Sequence, residues 1–453
     1  MSGSPDTICA LATPVGTAAL ALVRVSGPEA RRIAVELAGG AAPLPRQVRH
    51  GDYRDQAGVV LDEAVFTFFA APRSYSGEDT LEISGHGNPY VAQRILEDLC
   101  ARGCRMAGPG EFTQRAFLHG RMDLSQAEAV MDLIHARGER ALAAANQQLR
   151  GALGRHLTPL VDGLLGVLAR VEAYIDFPEE DLPPEDRAQL QSELERLEAG
   201  TGRLIATSHY GAMLRDGIKT VILGPTNAGK SSLLNRLIGH DRALVSPEPG
   251  TTRDFIEERI NIGPHAIRLI DTAGLNPSPG AIERLGIEQT FERAAESDLI
   301  LVVIDASDQS HALPPALLAH LSAEKSLTVF NKLDLVGKKA LPAPLVPSAA
   351  TVGVSALTGQ GMDELSQAIV RLADARQVAM GDDLIAISAR HADALSRARS
   401  ALRDARDKLT RGAPIELLAS DLRTALDAYG EISGKVDNER MLDQLFATFC
   451  IGK

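Results

Sequence analysis

The chain has 453 residues, well beyond the ~150 of a typical domain, so several domains are expected. Hydrophobic residues at 45% and charged residues at 23% exclude a mainly disordered chain, and a net charge of −12 restricts any nucleic-acid contact to a local basic patch. Trp is absent and aromatics are 4%, which excludes stacking platforms as the main recognition device.

The cysteines Cys9, Cys100, Cys104 and Cys450 are too few and too scattered for a disulfide framework. Cys100 and Cys104 lack a nearby Cys/His pair and read as small buried hydrophobes, not zinc ligands. The apolar stretch Ile8 to Val23 has no basic leader and is broken by Thr13-Pro14-Val15-Gly16. No apolar run reaches the ~18 residues of a membrane span, so a cytoplasmic location is expected. Only nine lysines occur, none before Lys219, so a lysine at a motif position carries weight.

In chain order, Ala19–Val25, Val65–Phe69 and Leu81–Ile83 read as strands, the last followed by a glycine-rich turn Ser84-Gly85-His86-Gly87. Pro28–Leu37 and Pro89–Leu99 read as helices with Pro in the first turn. From about 124 the apolar spacing becomes helical, through Leu124, Ala127, Val130, Met131 and Ile134, then Leu157–Ile175 and Leu190, Leu194, Leu197. An acidic, proline-broken connector, Phe177 to Pro184, lies between the last two. At Ile218 the pattern switches to βα alternation, with apolar strands such as Thr220–Leu223 and Leu299–Ile304, the mark of a mostly parallel sheet. After about 385 long amphipathic helices return.

The expected fold class is therefore multidomain α/β and α. Residues 1–121 form an N-terminal α+β domain, 122–216 and 378–453 the two parts of a helical domain, and 217–377 an inserted α/β domain, which the phosphate loop Gly224–Ser231 and the Asn331–Asp334 motif make a P-loop (Ras-like) G domain. Two separate helical domains would give the same string.

Gly224-Pro225-Thr226-Asn227-Ala228-Gly229-Lys230-Ser231 fits the phosphate loop G-x-x-x-x-G-K-S, after an apolar strand and opening the helical run from Ser232. Inward N–H groups and the helix N-terminus suit phosphate, Lys230 bridges the β- and γ-phosphates, and the Ser231 hydroxyl suits Mg²⁺. Asp271-Thr272-Ala273-Gly274 ends a strand, where Asp271 can hold Mg²⁺ through water and the Gly274 N–H can sense the γ-phosphate. Asn331-Lys332-Leu333-Asp334 selects the base. Its Asp carboxylate accepts from guanine N1–H and the 2-amino group, both of which adenine lacks. Asn331 reaches the other edge of the base and Lys332 covers its face, while Ser355-Ala356-Leu357 offers a backbone N–H to the guanine O6. GTP is the nucleotide expected. A Ras-like Gln after D-x-x-G is missing, since Leu275 stands there. Gly250-Thr251-Thr252-Arg253-Asp254 is a threonine-bearing switch, and the Asn227 oxygen can take a monovalent cation where an arginine finger would place its charge.

These motifs resemble those of the MnmE (TrmE) family of tRNA modification GTPases. So do Ala12-Thr13-Pro14-Val15-Gly16, Ser76-Gly77-Glu78-Asp79, Gly85-His86-Gly87, Pro109-Gly110-Glu111-Phe112-Thr113, Asp123-Leu124-Ser125-Gln126-Ala127-Glu128 and the ending Phe449-Cys450-Ile451-Gly452-Lys453. The resemblance covers essentially the whole chain. It implies a folate-binding-type N-terminal domain that dimerises, binding a 5-formyltetrahydrofolate or methylenetetrahydrofolate-type ligand through Arg24, Glu82, Arg121 and Lys453. It also implies a homodimer that works with an FAD-containing, MnmG-like protein to add an aminomethyl or carboxymethylaminomethyl-type group at the 5-position of the wobble uridine of certain tRNAs. Activation is by GTP-dependent G-domain dimerisation with K⁺ held by Asn227, Ser246, Glu248 (backbone) and Thr251. Mg²⁺ takes Ser231 and Thr252, Glu283 replaces the missing Gln in orienting water, and Cys450 stands where the family has a cysteine tied to modification.

The sequence departs from the family in the phosphate loop, which reads Gly-Pro-Thr-Asn for the usual Gly-Arg-Pro-Asn. It also departs in Pro247 and Pro249 flanking Glu248, in Asn276-Pro277-Ser278-Pro279, and in Arg121 for a common Lys. A second function class, a GTP-switched ribosome or RNA assembly factor without modification chemistry, shares the G-domain motifs. The N-terminal motifs and the C-terminal ending favour the modification enzyme.

Overall fold

The structure is a computed structural model that describes residues 6–41, 44–176, 184–240, 257–271, 292–308, 313, 318–319, 321–336, 346–376, 383–434 and 452. The chain divides into two compact units, residues 1–131 with 430–453, and residues 132–429.

The first unit is built on β1 (Ile8–Leu11), β2 (Ala18–Ser26), β3 (Val48–Arg54), β4 (Val60–Phe69), β5 (Thr80–Gly87) and β6 (Arg105–Met106). Among the described residues they form one sheet in the order β3-β4-β5-β2-β1-β6. The period of two decides what each face carries. Val23, Val25, Phe66, Phe68, Leu81 and Ile83 are buried on the face covered by α1 (Ala30–Leu37) and α2 (Pro89–Ala101), whereas Arg24 and Glu82 stand on the other. Cys9 and Cys104 lie in the same apolar cluster with Cys100 beside it, as expected for small hydrophobes. Helix α2 starts with Pro89 at its first position and Asn88 as N-cap, whose side chain accepts from the Tyr90 N–H at 2.9 Å. A third helix, α3, spans Glu111–Leu118.

One expectation fails here. The glycine-rich segment Ser84–Gly87 is not a turn. It continues β5, with His86 opposite Leu20 and Gly87 opposite Ala18. The glycines serve close approach instead, since a Cβ on Gly87 would sit 2.4 Å from the Ala18 carbonyl oxygen.

In the second unit α4 (Leu124–His135, which begins in the first), α5 (Glu139–Leu149), α6 (Ala152–Asp176), α7 (Pro184–Ala206) and α8 (Ser208–Asp216) lead into the α/β segment. Its strands are β7 (Ile218–Leu223), β8 (Glu257–Ile262), β9 (His265–Asp271), β10 (Leu299–Asp305), β11 (Ser326–Asn331) and β12 (Ala350–Gly353), in the order β12-β11-β10-β7-β9-β8. All neighbours are parallel except β8, which is antiparallel to β9. Every residue of β11 and all but the last of β10 are buried, as a parallel sheet covered on both faces requires. Helix α9 (Lys230–His240) and the helix Met362–Asp374 supply Leu233, Leu237, Leu365 and Ile369 to that core.

The helices Ala389–Arg411 and Ile415–Ser433 follow the sheet in sequence yet pack on helices that precede it. The first runs along α7, where Glu198 accepts from Arg406 at 2.7 Å, and Tyr429 of the second meets the Thr201 hydroxyl of α7 at 2.5 Å. The chain thus leaves a helical layer, builds the α/β segment and returns to it. At the far end of the β8–β9 hairpin, α5 is tied to the turn. The Arg140 N–H donates to Pro264 O at 3.1 Å, and Asp374 Oδ1 lies 3.0 Å from His265 Nε2 and 3.2 Å from Arg140 Nη2.

Candidate functional site

The motifs converge at one edge of the second sheet because all five parallel strands point the same way. The phosphate loop follows β7, Asp271 ends β9 level with Ile222, Asn331 ends β11, and Ser355 follows β12. The strand order reverses around β7, with β9 on one side and β10 on the other. That is the switch point where open α/β sheets bind their ligands.

The loop is built by close backbone contact. Gly224 has φ +151, and a Cβ there would lie 2.1 Å from the Val303 carbonyl oxygen of β10, a backbone atom that cannot move aside. A Cβ on Gly229 would lie 2.2 Å from Asn331 Nδ2. Thr226 and Asn227 are exposed at the tip, with Asn227 in the left-handed region at φ 64. Lys230 is buried, its ammonium donating to Gly224 O at 3.1 Å and Pro225 O at 2.8 Å, which curls the loop around the charge. Leu233 N–H makes the 2.9 Å bond to Gly229 O that starts α9, so the first-turn N–H groups before it lie at the end of the helix next to the loop, where an anion is favoured. Ser231 and Ser232 are exposed there, and a hydroxyl oxygen on Ser231 is the hard donor that Mg²⁺ prefers.

Asn331, expected at the base, also has a role within the protein. It is buried, and its side chain is used on backbone: Nδ2 donates to Ala228 O at 3.0 Å and Gly229 O at 3.4 Å, and Oδ1 accepts the Ala356 N–H at 3.0 Å. It fastens the phosphate loop to the Ser355-Ala356-Leu357 turn. Asp334 is exposed beside it, with Oδ1 held by the buried Ser355 hydroxyl. Leu357 is exposed next to the buried Ala356.

Lys332 sits at φ 65, and its ammonium pairs with Asp305 Oδ2 at 2.6 Å. Burial raises the Asp305 carboxyl, but hydrogen bonds from Lys332 and Ser307 outweigh it and hold Asp305 below the usual carboxylate range. Asp305 belongs to no motif singled out in the sequence. The available signal was an acidic residue closing the otherwise apolar strand Leu299–Ile304. Asp271 is placed by its strand. The remaining expected nucleotide and cation residues, Ser246, Glu248, Thr251, Thr252, Thr272, Ala273, Gly274 and Glu283, lie outside the described residues, as do Cys450 and Lys453.

In the N-terminal unit the structure brings Arg24 and Glu82 together. They are opposite one another in the β2–β5 register, and Arg24 Nε and Nη2 donate to Glu82 Oε1 at 3.0 and 2.8 Å. The guanidinium carbon stands 5.1 Å from the Tyr75 ring centroid and 5.7 Å from that of Phe112, and Nη1 reaches Gly452 O at 3.5 Å. The result is a charged, aromatic-walled cradle that also meets the Gly452 carbonyl. Arg121 lies exposed after α3, and among the described residues no hydrogen bond or ion pair joins it to Arg24 or Glu82. Among the described residues no helix is long and apolar enough to cross a membrane.

A phosphate loop, a strand-end aspartate, Asn-Lys-x-Asp and Ser-Ala-Leu on one edge of a parallel sheet define a P-loop GTPase. The family model described as the MnmE helical domain matches residues 124–450, and that described as the GTP-binding protein TrmE N-terminus matches residues 7–121. The tRNA modification GTPase MnmE of Opitutus terrae is 60% identical over 448 residues, covering 99% of either chain. That of Akkermansia muciniphila is 43% identical over 460 residues, covering 100% of both. Among solved structures, the G domain of the T. maritima FeoB iron transporter is 24% identical with a TM-score of 0.26, covering 34% of this chain and 98% of its own. The chain belongs to the MnmE (TrmE) family of tRNA modification GTPases.

Proposed function

We propose that this GTPase works in the cytoplasm as a homodimer with an FAD-containing, MnmG-like protein, adding an aminomethyl or carboxymethylaminomethyl-type group to the 5-position of the wobble uridine of certain tRNAs. The observation that carries the reading is that similarity to proteins named tRNA modification GTPase MnmE runs the full length of the chain, through the nucleotide edge and the N-terminal cradle alike. Mass spectrometry of wobble nucleosides from cells lacking the protein tests it. The modified uridine should vanish, and an unaltered nucleoside profile would leave a GTP-switched assembly factor as the better reading.

The residues divide the work as follows. The loop N–H groups and Lys230 bind the triphosphate, with Lys230 drawing charge off the β–γ bridge. Asp334, steadied by Ser355, recognises the guanine edge, and Lys332, anchored by Asp305, is held over the base. Ser231 and Thr252 would hold Mg²⁺, a hard cation suited to two hydroxyl oxygens, which neutralises phosphate charge when bound. The cation site of Asn227, Ser246, Glu248 and Thr251 is oxygen-only, as K⁺ prefers. Glu283 orients and deprotonates the attacking water in place of the Gln that Leu275 displaces. Arg24, Glu82, Arg121 and Lys453 would hold the folate, whose chemistry is that of a one-carbon unit; the Arg24 guanidinium among Tyr75 and Phe112 fits an anionic, aromatic ligand. GTP-driven closure of paired G domains moves the helical layer to which they are joined.

Two kinetic results are expected. Glu283→Ala retains GTP affinity while turnover falls by ~10²-fold or more, because a general base acts on the transition state and not on ground-state binding. An unchanged single-turnover rate would return Glu283 to a solvated helix charge. Hydrolysis runs faster in KCl than in NaCl at equal ionic strength, since Leu275 cannot act and Asn227 is present; equal rates in the two salts remove the monovalent cation from the mechanism.

A further inference from the structure

On the α1 face of the N-terminal sheet, the alternation of β3 is broken by a charge. Tyr53 is buried on that face, but Arg49, two steps back in phase, lies opposite Phe66 where the pattern calls for an apolar side chain. Arg49, Phe66, Phe68 and Leu81, with Ala34 of α1 and Ala38 at its C-cap, line a cavity of about 290 Å³. That is the lower end of the range of small-molecule sites, ~300–1,000 Å³. Its floor is finished apolar surface, since Phe68 and Leu81 are 1% and Phe66 9% exposed.

The charge at the rim is uncompensated. Among the described residues Arg46, Arg49 and Arg73 form no ion pair; Arg46 donates only to the Arg73 carbonyl, at 3.0 Å, and its backbone N–H reaches Phe68 O at 2.7 Å beside the cavity. In the same unit Arg31 pairs with Asp79 and Arg102 with Asp98. Arg49 is exposed, and a charge on an edge strand also guards it against strand addition, but that role needs no cavity. The cavity opens on the opposite sheet face from Arg24 and Glu82, so it is not the cradle described above.

We propose that this cavity is a binding site for a small apolar anion, its apolar part filling the space beside Phe66, Phe68 and Leu81 and its anionic group paired with Arg49. The inference is independent of the nucleotide site and of the tRNA reading. The Phe66 ring is stacked on Tyr53 and the Phe68 ring carries the Arg31 guanidinium 5.1 Å from its centroid, so a ligand gains apolar contact here and not stacking, and its anionic group gains a charge-assisted bond from a guanidinium with no carboxylate partner among the described residues.

The test uses the full-length protein and two fluorescent probes with similar aromatic ring systems, anilinonaphthalene sulfonate and the neutral phenylnaphthylamine. Saturable binding of both is expected. Arg49→Gln should weaken the sulfonate by about tenfold or more, the value of one charge-assisted bond, while the neutral probe changes less than about twofold. Ala38→Leu, which fills the cavity from the C-cap of α1, should abolish both at an unlowered melting temperature. Equal losses of the two probes in Arg49→Gln, or full binding in Ala38→Leu, would overturn the proposal. So would a probe site that disappears as the protein self-associates, since a second copy would then cover the cavity.

Discussion

Asp334→Asn is expected to weaken GTP binding by about 10²-fold or more and to improve binding of xanthosine triphosphate, with the fold intact. The carboxylate presents two acceptor oxygens, one of them already steadied by the Ser355 hydroxyl. Guanine offers two donors, N1–H and the 2-amino group. An amide at this position turns one acceptor into a donor, so it faces the 2-amino group donor to donor. Each unmatched polar group in the complex costs about 1–3 kcal/mol, and each 1.4 kcal/mol is a factor of about ten in affinity. Xanthine carries a carbonyl where guanine has its amine, so the amide regains a partner there. Calorimetric titration of both triphosphates checks the result. Unaltered GTP affinity in the variant would contradict the base pocket, and undiminished folding cooperativity is needed to show that only recognition has changed.

The second large effect is expected at Asn331. If its side chain served the base alone, Asn331→Ala would weaken guanine nucleotides and leave the nucleotide-free protein as stable as before. The geometry demands more. The side chain binds the carbonyls of Ala228 and Gly229 and the N–H of Ala356, all at buried positions or beside them. Alanine removes this partner from the Ala228 carbonyl and the Ala356 N–H, while the Gly229 carbonyl keeps Leu233 N–H, and it opens a small void, a loss of about 2–4 kcal/mol. The phosphate loop and the Ser355 turn are then no longer tied, so the triphosphate end is disturbed as well as the base end. The expected outcome is a melting temperature several degrees lower without nucleotide, together with a loss of affinity for guanine nucleotides of about 10²-fold. A variant that melts like the parent and loses only nucleotide affinity would place Asn331 at the base and nowhere else.

Much of the molecule was legible in its residues because the responsible physics is local. A lysine in a lysine-poor chain, set between Gly229 and Ser231 after an apolar strand, identifies a phosphate loop by stereochemistry alone. The switch from helical spacing to buried strands near Ile218 marks the α/β segment, and the alternation in β2, β4 and β5 separates Arg24 and Glu82 from the core. Local reading failed where a close approach replaced a turn. Glycines at 85 and 87 look like chain reversal, yet they are there so that β2 and the Asp62 side chain can lie against β5.

The amino-acid order by itself determined that this is a guanine-nucleotide hydrolase with an α+β domain ahead of it and helices on both sides, since each motif needs only its own few residues and its strand or helix. Tertiary structure alone decided what those residues lean on. Asp305 holds Lys332 from another strand, Asn331 braces the loop a hundred positions upstream, and Arg49 lies opposite Phe66 with no carboxylate to answer it among the described residues. Such pairings depend on strand order and register, which come from packing summed over the whole sheet and leave no mark at the positions that end up touching.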